Sequence, residues 1–182
     1  MDKNQRIAEL RKLDVLTMSQ LQELLELNAV NRLLELPRIA DYGITDLAVA
    51  IRNLEGVAIR AAEAEGAGFA LEAVSLRLQH ADLWLRIFWV AKNGTSTVYP
   101  PTDKRTLGVL IADCERLGLE PYAVGRLRAF NTKRVEAIHK FLLGAISYSA
   151  VQDACAEYRD LPSLVGQVVS HQLGLPHSRR AA

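Results

Sequence analysis

The sequence predicts an all-α fold, and three observations lead to it. Apolar residues recur at the three- and four-residue spacing of a helix through one long stretch after another. Turn-forming residues punctuate those stretches at Pro37, Asp41-Tyr42-Gly43, Gly66-Ala67-Gly68, Asn93-Gly94, Pro100-Pro101, Gly118 and Pro162. Capping signatures stand where stretches begin, as at Thr17-Met18-Ser19-Gln20. At 182 residues the chain is long enough for one domain with a full core, or one domain with an appendage. Its 49% hydrophobic and 24% charged residues are ordinary globular composition, which excludes a disordered chain.

Taken in order, Ile7, Leu10 and Leu13 predict a short helix within residues 2–14. Thr17 to Gln20 reads as a capping box, with Leu16 and Leu21 at the two positions of a hydrophobic staple. A helix from Met18 to Glu35 follows, with Leu21, Leu24, Leu25, Asn28, Leu33 and Leu34 on one face, and Pro37 ends it. Those leucines suit a dimer seam or packing onto the rest of the chain. The run is too short for sustained heptads, which favours packing. Thr45 is the expected N-cap of a helix over Asp46–Glu65, whose Leu47, Ile51, Leu54, Ala58 and Ala61 share a face.

Gly66-Ala67-Gly68 breaks that helix. It divides an N-terminal helical extension (1–66) from a helical bundle (67–175), with a frayed tail at 176–182. Phe69 to Lys92 is apolar on so much of its circumference that it must be mostly buried. His80, the Asp82–Arg86 pair, Trp84 and Trp89 read there as structural residues. Asn93 to Pro101 is a loop, with an extended hairpin-like detour as the alternative. Thr102 or Asp103 should cap a helix over Lys104–Leu117, closed by Gly118 as C′ residue. Pro121 suits the first turn of the next helix. Ser149 to Gln152 is a second capping-box candidate, and Pro162 interrupts the helix that follows it. The sum is a bundle of seven or eight helices, with no Gly-rich phosphate loop opening any of them.

The formal net charge of +1 offers no global argument for nucleic acid. Its distribution says more, since residues 1–66 hold 8 Lys/Arg against 11 Asp/Glu and residues 67–182 hold 14 against 10. Cys114 and Cys155 stand far apart among apolar neighbours, as buried free thiols do. His80, His139, His171 and His177 show no metal-ligand spacing. With no leader pattern and no apolar run long enough to span a bilayer, a cytoplasmic protein without a membrane partner is the expectation.

One stretch carries more polarity than its fold needs. Arg126 to Leu143 reads RLRAFNTKRVEAIHKFLL. Val124, Leu127, Asn131, Val135, Ile138 and Leu142 fall on one helical face, with Asn131 as the polar exception. Arg134 and His139 take opposite edges of that face. They are five residues apart, so they do not stack on one ridge as an i, i+4 pair would. Arg126, Arg128, Lys133, Arg134 and Lys140 face only Glu136 in opposite charge, which makes a solvated basic edge or a phosphate-facing patch.

Arg134, four spacers and His139, following Phe130-Asn131 and entering an apolar run, resemble the signature of the HEPN superfamily. The resemblance spans roughly residues 67 to 175. It implies an all-α, HEPN-like up-and-down helical bundle, commonly dimeric, in a family with many metal-independent endoribonucleases. In that role His139 is the acid/base, because imidazole titrates near neutrality. Arg134 stabilises charge on the phosphate, because a guanidinium stays cationic and donates paired hydrogen bonds. Asn131 orients one of them or the scissile phosphate, and Lys133, Arg128 and Lys140 contact the RNA. No metal or cofactor is implied. A homodimer is, since two such helices would meet across a two-fold axis. So is a toxin or defence role with an antitoxin or other protein partner. The family often places a polar residue directly after the Arg; here it is Val135. Phe141 stands where some toxin-like members carry a modified Tyr. A catalytically inactive HEPN-like binding or dimerisation module, or a helical adaptor using Met18–Glu35, stays open beside the nuclease.

Overall fold

A computed structural model of the chain describes residues 2–13, 15–29, 44–95, 97–98 and 103–175. Among these residues every regular element is a helix: α1 (Lys3–Arg11), α2 (Met18–Ala29), α3 (Leu47–Gly66), α4 (Ala70–Asn93), α5 (Leu107–Arg116), α6 (Pro121–Leu142), α7 (Tyr148–Glu157) and α8 (Leu161–Leu173). The all-α bundle predicted from periodicity is therefore the fold, and none of the described loop residues between α4 and α5 forms a strand. The predicted end of the second helix at Glu35, Pro37, the turn through Gly43 and the tail at 176–182 lie outside the described residues. No helix among those described is long and apolar enough to cross a membrane.

The bundle is built around α4, which packs against α3, α5, α7 and α8. Ala73, Ala81, Leu85, Ile87 and Phe88 on it are fully buried. The 126–143 stretch is less central. α6 buries Tyr122, Ala123, Val124, Leu127 and Phe130, all in its first half, and then emerges from the core. Its apolar stripe thus serves two ends: core packing up to Phe130, and an open face beyond.

The N-terminal helices join the same core. Leu21, Leu24 and Leu25 of α2 are buried in it, so this part of the leucine stripe packs onto this chain, and Leu33 and Leu34 lie outside the described residues. Arg11 donates two hydrogen bonds to the buried Glu120 carboxylate at 2.9 and 3.0 Å, and the Leu16 amide donates to the Tyr122 hydroxyl at 2.7 Å. Glu65 at the end of α3 receives Arg77 from α4 and Arg159 from the α7–α8 turn.

Local chemistry sets the helix ends. The Thr17 amide donates to Gln20 Oε1 at 2.8 Å and the Gln20 amide to Thr17 Oγ1 at 3.3 Å, a complete capping box worth about 1 kcal/mol. After α5, Gly118 has φ of +87°, and the Leu119 amide reaches the Cys114 carbonyl at 2.9 Å, which closes a Schellman motif. Pro162 sits in the first turn of α8, where its missing N–H costs nothing.

Three predicted starts move by one to three residues. Asp46, not Thr45, is the N-cap position of α3, and its carboxylate instead accepts the Val98 amide at 2.8 Å, pinning the loop after α4. α5 begins at Leu107, later than Lys104, because the Asp103 carboxylate is taken by Arg86 and Arg105. α7 is capped by Ser147 through the Ala150 amide at 3.4 Å, two residues before the expected Ser149.

Candidate functional site

Where α6 leaves the core after Phe130, its polar residues come into reach of neighbouring helices. Asn131 lies against α5; a Cβ placed on Gly108 would stand 3.8 Å from Asn131 Nδ2. Asn131 Oδ1 accepts a hydrogen bond from Arg134 Nη2 at 3.1 Å. One turn of helix brings these two together, as i, i+3 spacing requires.

Arg134 is half-buried and lacks a counter-charge. No carboxylate pairs with it among the described residues, and Asn131 is its one hydrogen-bond partner. Its Nε is buried with no partner at all. The stem enters a narrow crevice lined by Leu71, Val74, Phe130, Ile138 and Tyr158, and this burial pushes the guanidinium below its ordinary range. Removing a charge from water without a partner is costly, so folded proteins seldom leave one so placed.

The far side of Arg134 opens into a cleft of about 650 Å³ between α3, α4, the start of α5 and α6. Arg52, Gly56 and Arg60 of α3 form one wall, with Gln79 and Asp82 of α4, Arg105 and Arg134 completing the rim. The charges do not cancel. Asp82 is held by Arg86 at 2.6 Å. Arg105 is spent on Asp103, at 2.9 and 2.5 Å, and on Asp113, and it lies 3.8 Å from the centre of the Trp89 ring. Arg52, Arg60 and Arg134 remain, three guanidiniums with no acidic partner among the described residues. A cleft lined by one sign of charge between low-dielectric walls concentrates anions. A second cleft, of about 400 Å³ beside Arg11 and Arg126, is neutralised by Glu120 and Asp160.

The other residues singled out from sequence lie elsewhere. His139 is exposed, its side chain has no hydrogen-bond or charge partner among the described residues, and it is not part of the cleft that Arg134 lines. Five residues carry it about 140° around the helix from Arg134. Lys133 lies 3.9 Å from Glu157, Arg128 donates to Glu115 at 2.5 and 3.1 Å, and Lys140 stands 3.5 Å from Glu136. All three pairs are on the surface and outside the cleft. Within one copy of the chain, the fold thus unites Arg134 with Asn131 but not with His139.

Sequence reasoning missed Arg52 and Arg60. Their signal was present: Arg52, Gly56 and Arg60 recur every four residues along the ridge of α3 that the apolar stripe leaves open. Among the described residues no three His, Cys, Asp or Glu side chains form a group that could hold a metal ion. Both cysteines are buried and free, and burial pushes the Cys114 thiol up to about 12, so neither is poised as a nucleophile. No protein-family model, curated protein or solved structure matches the chain.

Proposed function

We propose that the protein is a HEPN-like helical module that binds RNA by holding a phosphodiester against Arg134, and that strand cleavage belongs to a two-copy assembly. The observation that carries the binding step is the unpaired guanidinium of Arg134, half-desolvated at the mouth of a cleft with surplus positive charge. A phosphate would supply the two hydrogen-bond acceptors and the charge this group lacks. Asn131 holds the guanidinium in place by its hydrogen bond.

The cleavage step rests on a different feature of α6. Val135 and Leu142 are 41% and 74% exposed, and they share the face that carries His139. Leu143, 82% exposed, follows directly. An apolar face of this kind suits pairing with another α6, and an antiparallel crossing near Val135 would carry each His139 toward the partner's Arg134. The imidazole would then take or return the ribose 2′-hydroxyl proton while Arg134 steadies the phosphoryl oxygens, giving a 2′,3′-cyclic phosphate. Val135 after the Arg, and the separation of the two side chains within one copy, favour a second reading: the same module binding RNA without cutting it.

The test combines mass in solution, RNA binding by anisotropy and cleavage in EDTA, for wild type, Arg134→Gln and His139→Ala. Arg134→Gln is expected to weaken binding several-fold. His139→Ala is expected to leave binding intact and abolish cleavage by a dimer. A monomer that binds RNA and never cuts it establishes the second reading. Binding indifferent to Arg134→Gln removes both.

A further inference from the structure

We infer that the α3 ridge of Arg52, Gly56 and Arg60 is a backbone-tracking groove for single-stranded RNA, so that the N-terminal third of the chain supplies half of the binding surface. This deepens the reading in which Arg134 holds a phosphate and rests on it.

The inference starts from charge and space. Arg52 and Arg60 lie two turns apart on α3, about 12 Å along the helix axis. That span exceeds what one phosphate fills and suits successive phosphates of an extended strand. Neither arginine has an acidic partner among the described residues, although Glu55 and Glu63 are on the same helix. Opposite them stands Arg134, with its buried and unpartnered Nε. Gly56 lies between the two arginines, and a Cβ built there meets nothing within 4 Å, so the floor of the groove is open. A mid-helix glycine costs about 1 kcal/mol relative to alanine, and no close packing contact requires this one. A cleft of about 650 Å³ is in the range that encloses a nucleotide-sized ligand rather than a bare ion. Gln79 adds an amide at the rim, and no aromatic ring lines the cleft among the described residues. Contact is therefore with the sugar–phosphate chain, with little reading of base identity.

The experiment measures binding of a short fluorescein-labelled single-stranded RNA across a salt series. Each cation that neutralises a phosphate on a single strand adds about 0.7 to the slope of log affinity against log salt. Wild type should show a slope near −2 from three guanidiniums, and the Arg52→Gln/Arg60→Gln double variant a slope near −0.7 with roughly tenfold weaker binding at low salt. Gly56→Glu, which puts a carboxylate into the groove, should lose about as much as the double variant. Circular dichroism confirms that each variant is folded.

Wild-type slope and affinity in both the double variant and Gly56→Glu would overturn the groove, even if Arg134→Gln still weakened binding. That result would leave the reading of Arg134 standing. Groove-dependent binding that ignores Arg134→Gln would do the reverse. A mononucleotide that competes as well as the oligonucleotide, at equal phosphate concentration, would also overturn the strand-tracking claim.

Discussion

Arg134 shows how one residue can set function against stability. Its guanidinium is held by a single amide oxygen and lies partly in an apolar crevice. Folding therefore bears a desolvation cost that no ion pair offsets. Arg134→Met keeps the aliphatic stem and removes the charge. It should stabilise the protein by about 1 kcal/mol, or about 2–4 °C in thermal midpoint for a chain of this size, while weakening RNA binding. A lower midpoint would make Arg134 a structural residue and count against its role as a phosphate ligand. Asp103 is the opposite case. Arg105 first, then Arg86, holds its carboxyl well below the usual carboxylate range, and all three charges find partners within the network. The motif spacing made Arg134 and His139 legible as candidates, but spacing along one helix could not say that Arg134 is left without a counter-charge at the edge of a cleft. That depends on side chains from α3, α4 and α5.

At the scale of elements, α4 and α8 pack closely at Gly166. A Cβ there would lie 2.7 Å from Trp84 Nε1 and 2.8 Å from Cε2, so the indole rests directly on the glycine backbone. Gly166→Ala improves helix propensity yet forces a rigid ring aside, and overpacking of this kind costs about 1–3 kcal/mol. The urea midpoint should fall, and an unchanged midpoint would contradict this helix–helix approach. The residue type was visible in the sequence, but its reason was not, because a glycine inside a helical pattern is silent about what lies opposite. Cap residues divide in the same way. Thr17 and Gln20 satisfy each other locally and were readable. Asp103 was misread because Arg86, far along the chain, claims its carboxylate. Tyr148 makes a similar remote closure at α4, accepting the Ala70 amide at 2.7 Å and donating to the Gly68 carbonyl at 2.9 Å, where Phe69 offers no cap.

For the molecule as a whole, acid stability should be governed first by one half-buried histidine. Burial of His80 on α4 lowers its pKa from 6.5 to about 4. The unfolded chain then binds the extra proton between those values, so stability rises with pH across that window and falls as pH drops from about 6.5 towards 4. The change should be on the order of 2 kcal/mol, and His80→Gln should flatten it in denaturant titrations at successive pH values. A wild-type profile level through that window would rule out a half-buried imidazole kept neutral by the fold. Below it, the depressed carboxyls of Asp103 and Glu65 take over, each losing stability as it is protonated. Because the N-terminal helices share one core with the rest, the α3 wall of the cleft is fixed against α4 rather than tethered beside it.

The sequence by itself determined the helices, most of their ends and the polar break at Asn131 in the apolar stripe of α6, because periodicity, caps and breakers act within a few residues. Tertiary structure alone decided which helix became the centre, which arginines kept a counter-charge and which were left to face a shared cleft. Those outcomes turn on distances between side chains remote in sequence, and local pattern carries no record of such distances.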